Sequence, residues 1–208
     1  EKFMDDYPNL TWKDQMNSDT RIFGAENISS ELTSILKNFI DLSKKVGERY
    51  LKQKIGLYMI MANRTKFTKN NLGSGNGWHK DSYSKQFKSI LYLKDVNNNN
   101  GPFQLIENSN KNIFMLKLFL KLKDKFPNTR FSEKEISMLL TDRKNKIVNI
   151  KGKAGTLILV DTSYLHRGKP LKENCRYALT SYFFSSEKFQ NYKGHFEPKI
   201  EKMTGLES

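Results

Sequence analysis

The residues of this chain best suited to hold a transition metal stand at a spacing that allows them to do so. His79 and Asp81 form an H-x-D pair within Trp78-His79-Lys80-Asp81, and His166 follows much later in Tyr164-Leu165-His166-Arg167-Gly168. Two imidazoles and one carboxylate on one face of an Fe(II) ion leave positions open for an oxidant and a further ligand. An H-x-D pair alone arises readily by chance, so its surroundings must carry the reading. With Trp78 to Ser82 extended, strand alternation sends His79 and Asp81 to one face and Lys80 to the other. His166 comes just after the apolar run Thr156-Leu157-Ile158-Leu159-Val160, where a strand ends and a side chain can turn into a barrel mouth. Ten residues after His166, Arg176 heads the run Arg176-Tyr177-Ala178-Leu179-Thr180-Ser181-Tyr182. A planar guanidinium held inside a barrel grips a carboxylate through two parallel hydrogen bonds. Pairing with a surface acid is the competing reading for an arginine that opens a strand.

Such a site needs a rigid frame, and the pattern of the chain supplies one. After an irregular opening from Glu1 to Glu26, Ser29 or Ser30 caps a helix expected from Glu31 to Tyr50, with Leu32, Ile35, Leu36, Phe39 and Leu42 at helical spacing. Short β-rich runs follow at Ile55 to Ala62, Trp78 to Ser82, Phe87 to Leu93, Phe103 to Ile106, Ile147 to Ile150, Thr156 to Val160 and Tyr177 to Phe184. Turn-forming stretches separate them at Asn70 to Gly77, Asn97 to Pro102 and Gly152 to Gly155. The expected fold is therefore mainly β with flanking helices, a sandwich or jelly roll. A helical insert at about 111–145 interrupts it, with one helix from Asn112 to Lys125 and a second opened by the capping box Ser132-Glu133-Lys134-Glu135. Phe114, Leu118 and Leu122 read as a core-facing stripe, which favours packing over a substrate lid. The charged tail after Ser185 is expected to wrap the surface.

Length and charge bound the partners. At 208 residues and 24.3 kDa the chain fits one domain spanning 1–208. A mean hydropathy of −0.68 goes with the lack of an 18-residue apolar run; even Ile113 to Leu122 is interrupted by Lys117 and Lys121. Cys175 is the single cysteine, so an internal disulfide is impossible and a cytoplasmic, reducing setting is expected. N-x-S/T triplets at Asn9, Asn27 and Asn63 are expected by chance in an Asn-rich chain. The 36 Lys+Arg against 22 Asp+Glu give a net charge of +14. That charge attracts nucleic acid, phosphorylated metabolites, a CoA thioester or an anionic glycan. Its lysines are scattered, so a solvated surface is the competing explanation.

Taken together, Trp78-His79-Lys80-Asp81, Asn100-Gly101-Pro102-Phe103-Gln104-Leu105-Ile106-Glu107-Asn108-Ser109-Asn110, and Gly155-Thr156-Leu157-Ile158-Leu159-Val160 leading to His166 and Arg176 resemble the Fe(II)/2-oxoglutarate dioxygenases, most closely the phytanoyl-CoA dioxygenase-like group. The resemblance spans Ile55 to Phe184. It implies a double-stranded β-helix (cupin-like), with His79, Asp81 and His166 as the catalytic iron ligands and Arg176 binding the distal carboxylate of 2-oxoglutarate. It implies Fe(II), 2-oxoglutarate and O2 as cofactor and co-substrates, with ascorbate as an aid. It also implies decarboxylation of 2-oxoglutarate to succinate and CO2, coupled to oxidation of a substrate C–H bond. Family members that halogenate have a small residue where Asp81 stands, so hydroxylation of a small or carrier-linked, anionic substrate is the expectation. The family commonly has Gly-Ser-His where this chain has Asn108-Ser109-Asn110, a position read here as structural.

Tyr58, Asn63 and Arg64 are candidates for helping to bind the co-substrate, against a packing role common for sheet residues. Trp78 and Tyr92 either line the pocket or fill the core. His195 lies in the charged tail and is expected to be exposed; Cys175 is read as a small hydrophobe and not as a nucleophile. Two other functions compete. One is a non-catalytic jelly-roll module that binds nucleic acid or anionic glycan through a basic face, which has no need of three ligands plus Arg176. The other is a cupin with a different metal and no 2-oxoglutarate.

Overall fold

The computed structural model describes Met4 and residues 11–122, 128–140 and 145–185. Among these, eleven strands build two antiparallel sheets. The larger runs β1 (Trp12–Lys13), β2 (Asp19–Phe23), β3 (Gly56–Lys66), β11 (Cys175–Phe184), β5 (Phe87–Tyr92), β9 (Leu157–Asp161). The smaller runs β7 (Arg130–Phe131), β4 (Trp78–His79), β10 (His166–Gly168), β6 (Phe103–Ile106), β8 (Ile147–Ile150). Two facing sheets of this kind are the jelly-roll architecture expected from the pattern of short strands. Side chains that alternate inward from both sheets make the central core, among them Ile90, Tyr92, Phe103, Ile158, Val160 and Ala178.

Helix α1 (Ser30–Leu51) covers the outer face of the larger sheet. The Ser29 side chain caps it by accepting the Leu32 amide at 3.1 Å, and Lys52 ends it in the left-handed conformation. The buried line runs through Leu36, Ser43 and Gly47, while Ile35 and Leu42 are exposed. This departs from the expected apolar stripe because small residues sit where the helix comes nearest the sheet. A Cβ on Gly47 would lie 2.6 Å from the Phe87 ring.

The helical insert does more than pack. Its helices α2 (Asn112–Lys121) and α3 (Glu133–Leu139) bury Phe114, Leu118, Ile136 and Leu139 against Trp78, Ile106 and Leu165. Between them β7 pairs with β4, placing Arg130 opposite His79. The capping box is present: Glu135 donates its amide to the Ser132 hydroxyl and its carboxylate accepts the Ser132 amide. The part of the first helix expected beyond Leu122, and the tail with His195, lie outside the described residues. Four strands were not expected from sequence: β1 and β2 in the irregular opening, β7 in the insert, and β10, which begins at His166 itself.

Candidate metal centre and anion pocket

β4 and β10 are antiparallel neighbours, and their register puts His79 directly opposite His166. Their rings lie 4.3 Å apart between centroids. β4 ends at His79, earlier than the expected strand to Ser82. The chain bends at Asp81 and is held there, because Lys80 donates its amide to Thr129 and Asp81 to Thr162. Asp81 therefore reaches the same side: its Oδ1 is 3.7 Å from His79 Nε2 and its Oδ2 is 3.5 Å from His166 Nε2. One ligand atom from each of the three residues lies within 4.8 Å of the others, as shared ligation of one ion requires.

The protonation states fit a metal. His79 Nδ1 donates to the Gly77 carbonyl and His166 Nδ1 to the Tyr164 carbonyl, both at 2.8 Å. A carbonyl only accepts, so each Nδ1 carries the proton and each Nε2 lone pair faces the site. Burial holds both imidazoles below their ordinary pKa, His166 at about 3 with the neighbouring His79 adding to the effect. Burial pushes Asp81 the other way, but Lys88, then His166 and His79, outweigh it and keep the carboxyl well below the usual range. Two neutral imidazoles and an ionised carboxylate are the donor set a divalent iron binds.

Lys80 points away from this site, as alternation requires, and is itself buried. Its ammonium donates to the Ser109 and Ser163 carbonyls. Ser109 in turn accepts the Leu165 amide on its hydroxyl at 2.8 Å. The Asn108-Ser109-Asn110 segment is thus a strut that fixes the loop before His166. Arg167, on the far side of β10, stacks over Trp78 at 4.3 Å, donates to Gln104 at 2.6 Å and pairs with Glu133 at the start of α3. Trp78 and Tyr92 both belong to the core; the Tyr92 hydroxyl donates to the Ile150 carbonyl and accepts the Phe103 amide.

A cavity of about 880 Å³ opens onto His79, Asp81 and His166, and Arg176 lines it too. Arg176 is 5% exposed, yet it donates to neutral acceptors: Gly101 O at 2.6 Å, Thr65 Oγ1 at 3.3 Å and Asn63 Oδ1 at 3.4 Å. A buried guanidinium whose hydrogen bonds go to neutral acceptors is suited to receiving an anion. Asn63 is itself held by Asp19 at 2.6 Å, and Asp19 also takes the Arg21 fork. The surface-acid alternative for Arg176 is thereby displaced.

The structure separates the other candidates. Asn63 contacts Arg176, and being 3% exposed it offers no glycan acceptor. Tyr58 and Arg64 do not line the cavity. Arg64 sits one residue out of phase with Asn63 and Thr65, so it projects from the opposite face of β3. Tyr58 lies beside the bulge at Tyr182/Phe183 with its ring edge-on to Phe184. Cys175 is half-buried and adjoins Arg176 outside this cavity. Sequence reasoning missed Lys88, which is 7% exposed, lines the cavity and pairs with Asp81 at 2.7 Å. The signal was available: Lys88 shares strand parity with Ile90 and Tyr92 and so faces the core.

No family model and no curated protein matches the chain. Solved structures do. The non-heme alpha ketoglutarate dependent epimerase SnoN from nogalamycin biosynthesis superposes with a TM-score of 0.58 at 11% identity, over 88% of this chain and 71% of that one. The chain has the fold of these iron enzymes. EctD from S. alaskensis with bound Fe gives a TM-score of 0.62 at 16% identity, over 88% of this chain and 65% of that one. HygX from Streptomyces hygroscopicus, with nickel, 2-oxoglutarate and hygromycin B bound, gives 0.54 at 16% identity, over 89% of this chain and 77% of that one. Among the described residues no helix is long and apolar enough to cross a membrane.

Proposed function

We propose that the chain is an Fe(II)- and 2-oxoglutarate-dependent oxygenase that hydroxylates a small or carrier-linked anionic substrate. The observation that carries this is the opening of His79, Asp81, His166 and the buried Arg176 onto one cavity. His79 Nε2, His166 Nε2 and an Asp81 oxygen hold the metal, and Arg176 binds the distal carboxylate of 2-oxoglutarate. Iron bound there supplies the O2 chemistry that couples 2-oxoglutarate decarboxylation to oxidation of a C–H bond. The chain's own residues do the positioning. Gly77 and Tyr164 orient the imidazoles through their carbonyls; Asn63 and Thr65 orient the guanidinium; Phe103, stacked 5.5 Å from His166, shields the site from water.

The cavity is of a size that admits a small molecule. Lys13, Arg21, Lys88, Arg130 and Arg176 line it against Asp14, Asp19 and Asp81, a positive excess that favours a negatively charged substrate. Asp81 occupies the position a halide would need, which favours hydroxylation. The sequence resemblance is what supports placing the chain near the phytanoyl-CoA dioxygenase-like group, and we take 1–208 as one catalytic domain with its insert. A ferrous centre and the lone Cys175 suit a reducing compartment such as the cytoplasm.

The test is succinate release from 2-oxoglutarate over a panel of anionic metabolites with Fe(II) and ascorbate, followed by product mass. Substrate-dependent succinate with the gain of one oxygen atom supports the reading. Stoichiometric binding of an anionic glycan or nucleic acid without any turnover would favour the non-catalytic module instead.

A further inference from the structure

Lys88 is the buried cation that the fold and the ligand set leave unexplained. It lies on β5, directly across from Tyr182 on β11, and its ammonium stands 4.0 Å from the Tyr182 ring centroid. That ring and the strand pairing on both sides fix where the ammonium sits. It sits 2.7 Å from Asp81 Oδ2. Arg176 lines the same cavity from a position six residues earlier on β11 than Tyr182, so the two buried cations enter it at different points.

A carboxylate binds a metal through one oxygen or through both, and a hydrogen bond to one of them shifts that choice. Asp81 Oδ2, 3.5 Å from His166 Nε2, already accepts from Lys88 at 2.7 Å, which weakens it as a second metal donor and favours ligation through Oδ1, 3.7 Å from His79 Nε2. Resting on the metal site proposed above, we infer that Lys88 is a positioning residue that restricts Asp81 to ligation through one oxygen, keeping open the coordination positions that a chelating 2-oxo acid must occupy. The ammonium also leaves the site one positive charge richer, which favours a dianionic co-substrate over water at those positions. Lys88 acts through Asp81 and touches no reacting atom.

The claim separates metal binding from co-substrate binding, and that separation is its test. Co(II) and then 2-oxoglutarate are titrated into wild type, Lys88→Met and Lys88→Gln, with calorimetry and the Co(II) electronic spectrum as readouts. We expect Lys88→Met to bind Co(II) as well as wild type or better, with a spectrum changed by the additional carboxylate oxygen. Its affinity for 2-oxoglutarate should fall on the order of 10-fold or more, the scale on which groups behind a metal ligand act. Lys88→Gln keeps a donor without the charge and should fall between the two; it carries the test if Lys88→Met does not fold. Parallel loss of Co(II) and 2-oxoglutarate binding would show that Lys88 merely holds Asp81 in place, and unchanged values for both would show no role; either overturns the inference. Failure of wild type itself to bind Co(II) at the triad would instead sink the metal site on which the inference rests.

Discussion

Gly75→Ala should damage the metal centre without touching a ligand. Gly75 adopts φ +87°, and a Cβ added there would stand 2.3 Å from His79 Cε1 and 3.1 Å from both ring nitrogens. Ordinary contact begins near 3.4 Å, so ring or loop must yield by about 1 Å. The ring is not free to yield, since its Nδ1 is bonded to the Gly77 carbonyl and its strand is paired on both sides. The loop is also tied: the Gly75 carbonyl accepts from Arg130 at 2.7 Å, and the Ser74 carbonyl accepts the Gly168 amide at 2.9 Å. Backbone strain at positive φ costs about 1–2 kcal/mol. A displacement of ~1 Å at a ligand costs on the order of 100-fold in a positioned reaction. Gly77→Ala separates the two effects, because Gly77 has φ +89° but nothing within 4 Å of an added Cβ. Both variants should lose about 1–2 kcal/mol in urea denaturation, and only Gly75→Ala should also lose Fe(II) or Co(II) affinity, by roughly 10- to 100-fold. Equal metal affinity in the two variants would refute the claim that the loop is packed onto His79.

Arg176→Lys keeps the charge but loses the fork, so 2-oxoglutarate binding measured by calorimetry should weaken about 10- to 100-fold, one charged hydrogen bond's worth or more; unchanged affinity would remove Arg176 from the site. Lys80→Met deprives the Ser109 and Ser163 carbonyls of their shared donor and should lower stability by roughly 2 kcal/mol, read from the urea midpoint. The metal-free protein should lose stability as pH falls from about 6.5 towards 3. Burial depresses His79 and His166, so in that window the unfolded chain binds protons that the folded one refuses, at up to about 1.4 kcal/mol per pH unit for each histidine. Asp81, also depressed, adds loss in the same direction below its ordinary pKa of 3.8; a flat denaturation midpoint between pH 6.5 and 4.5 would contradict the depressed histidines. If the cationic cavity lining captures an anionic substrate, kcat/KM should fall as salt rises, whereas a solvated lysine surface gives little dependence.

The convergence of His79, Asp81 and His166, with Arg176 on the same cavity, was legible because few residue types suit a metal and strand spacing constrains where they point. The sheets were legible where apolar runs are long, as in β5, β9 and β11. β2 was not: Asp19 and Thr20 look like loop residues and are buried only because β3 pairs alongside and Asn63 and Arg21 satisfy the Asp19 carboxylate. β10 was hidden because it is three residues long and owes its existence to β4 and β6 on either side. Arg64 was placed in the site because sequence gives its neighbourhood, whereas one residue of register decides that Asn63 and Thr65 face Arg176 and Arg64 does not. The approach of Gly75 to His79 depends on a loop whose path no local pattern specifies. The insert read as packing, and does pack, but its β7 strand and Glu133 also brace both histidine strands.

The most direct test of the central claim is an anaerobic calorimetric titration of Fe(II), followed by 2-oxoglutarate, into wild type and His166→Ala. One Fe(II) per chain, and 2-oxoglutarate affinity that depends on that iron, are predicted for wild type, with stoichiometric iron and the iron-dependent part of 2-oxoglutarate binding both lost in His166→Ala. Wild type that takes up no stoichiometric Fe(II), or a variant that binds iron and 2-oxoglutarate as wild type does, would contradict the account.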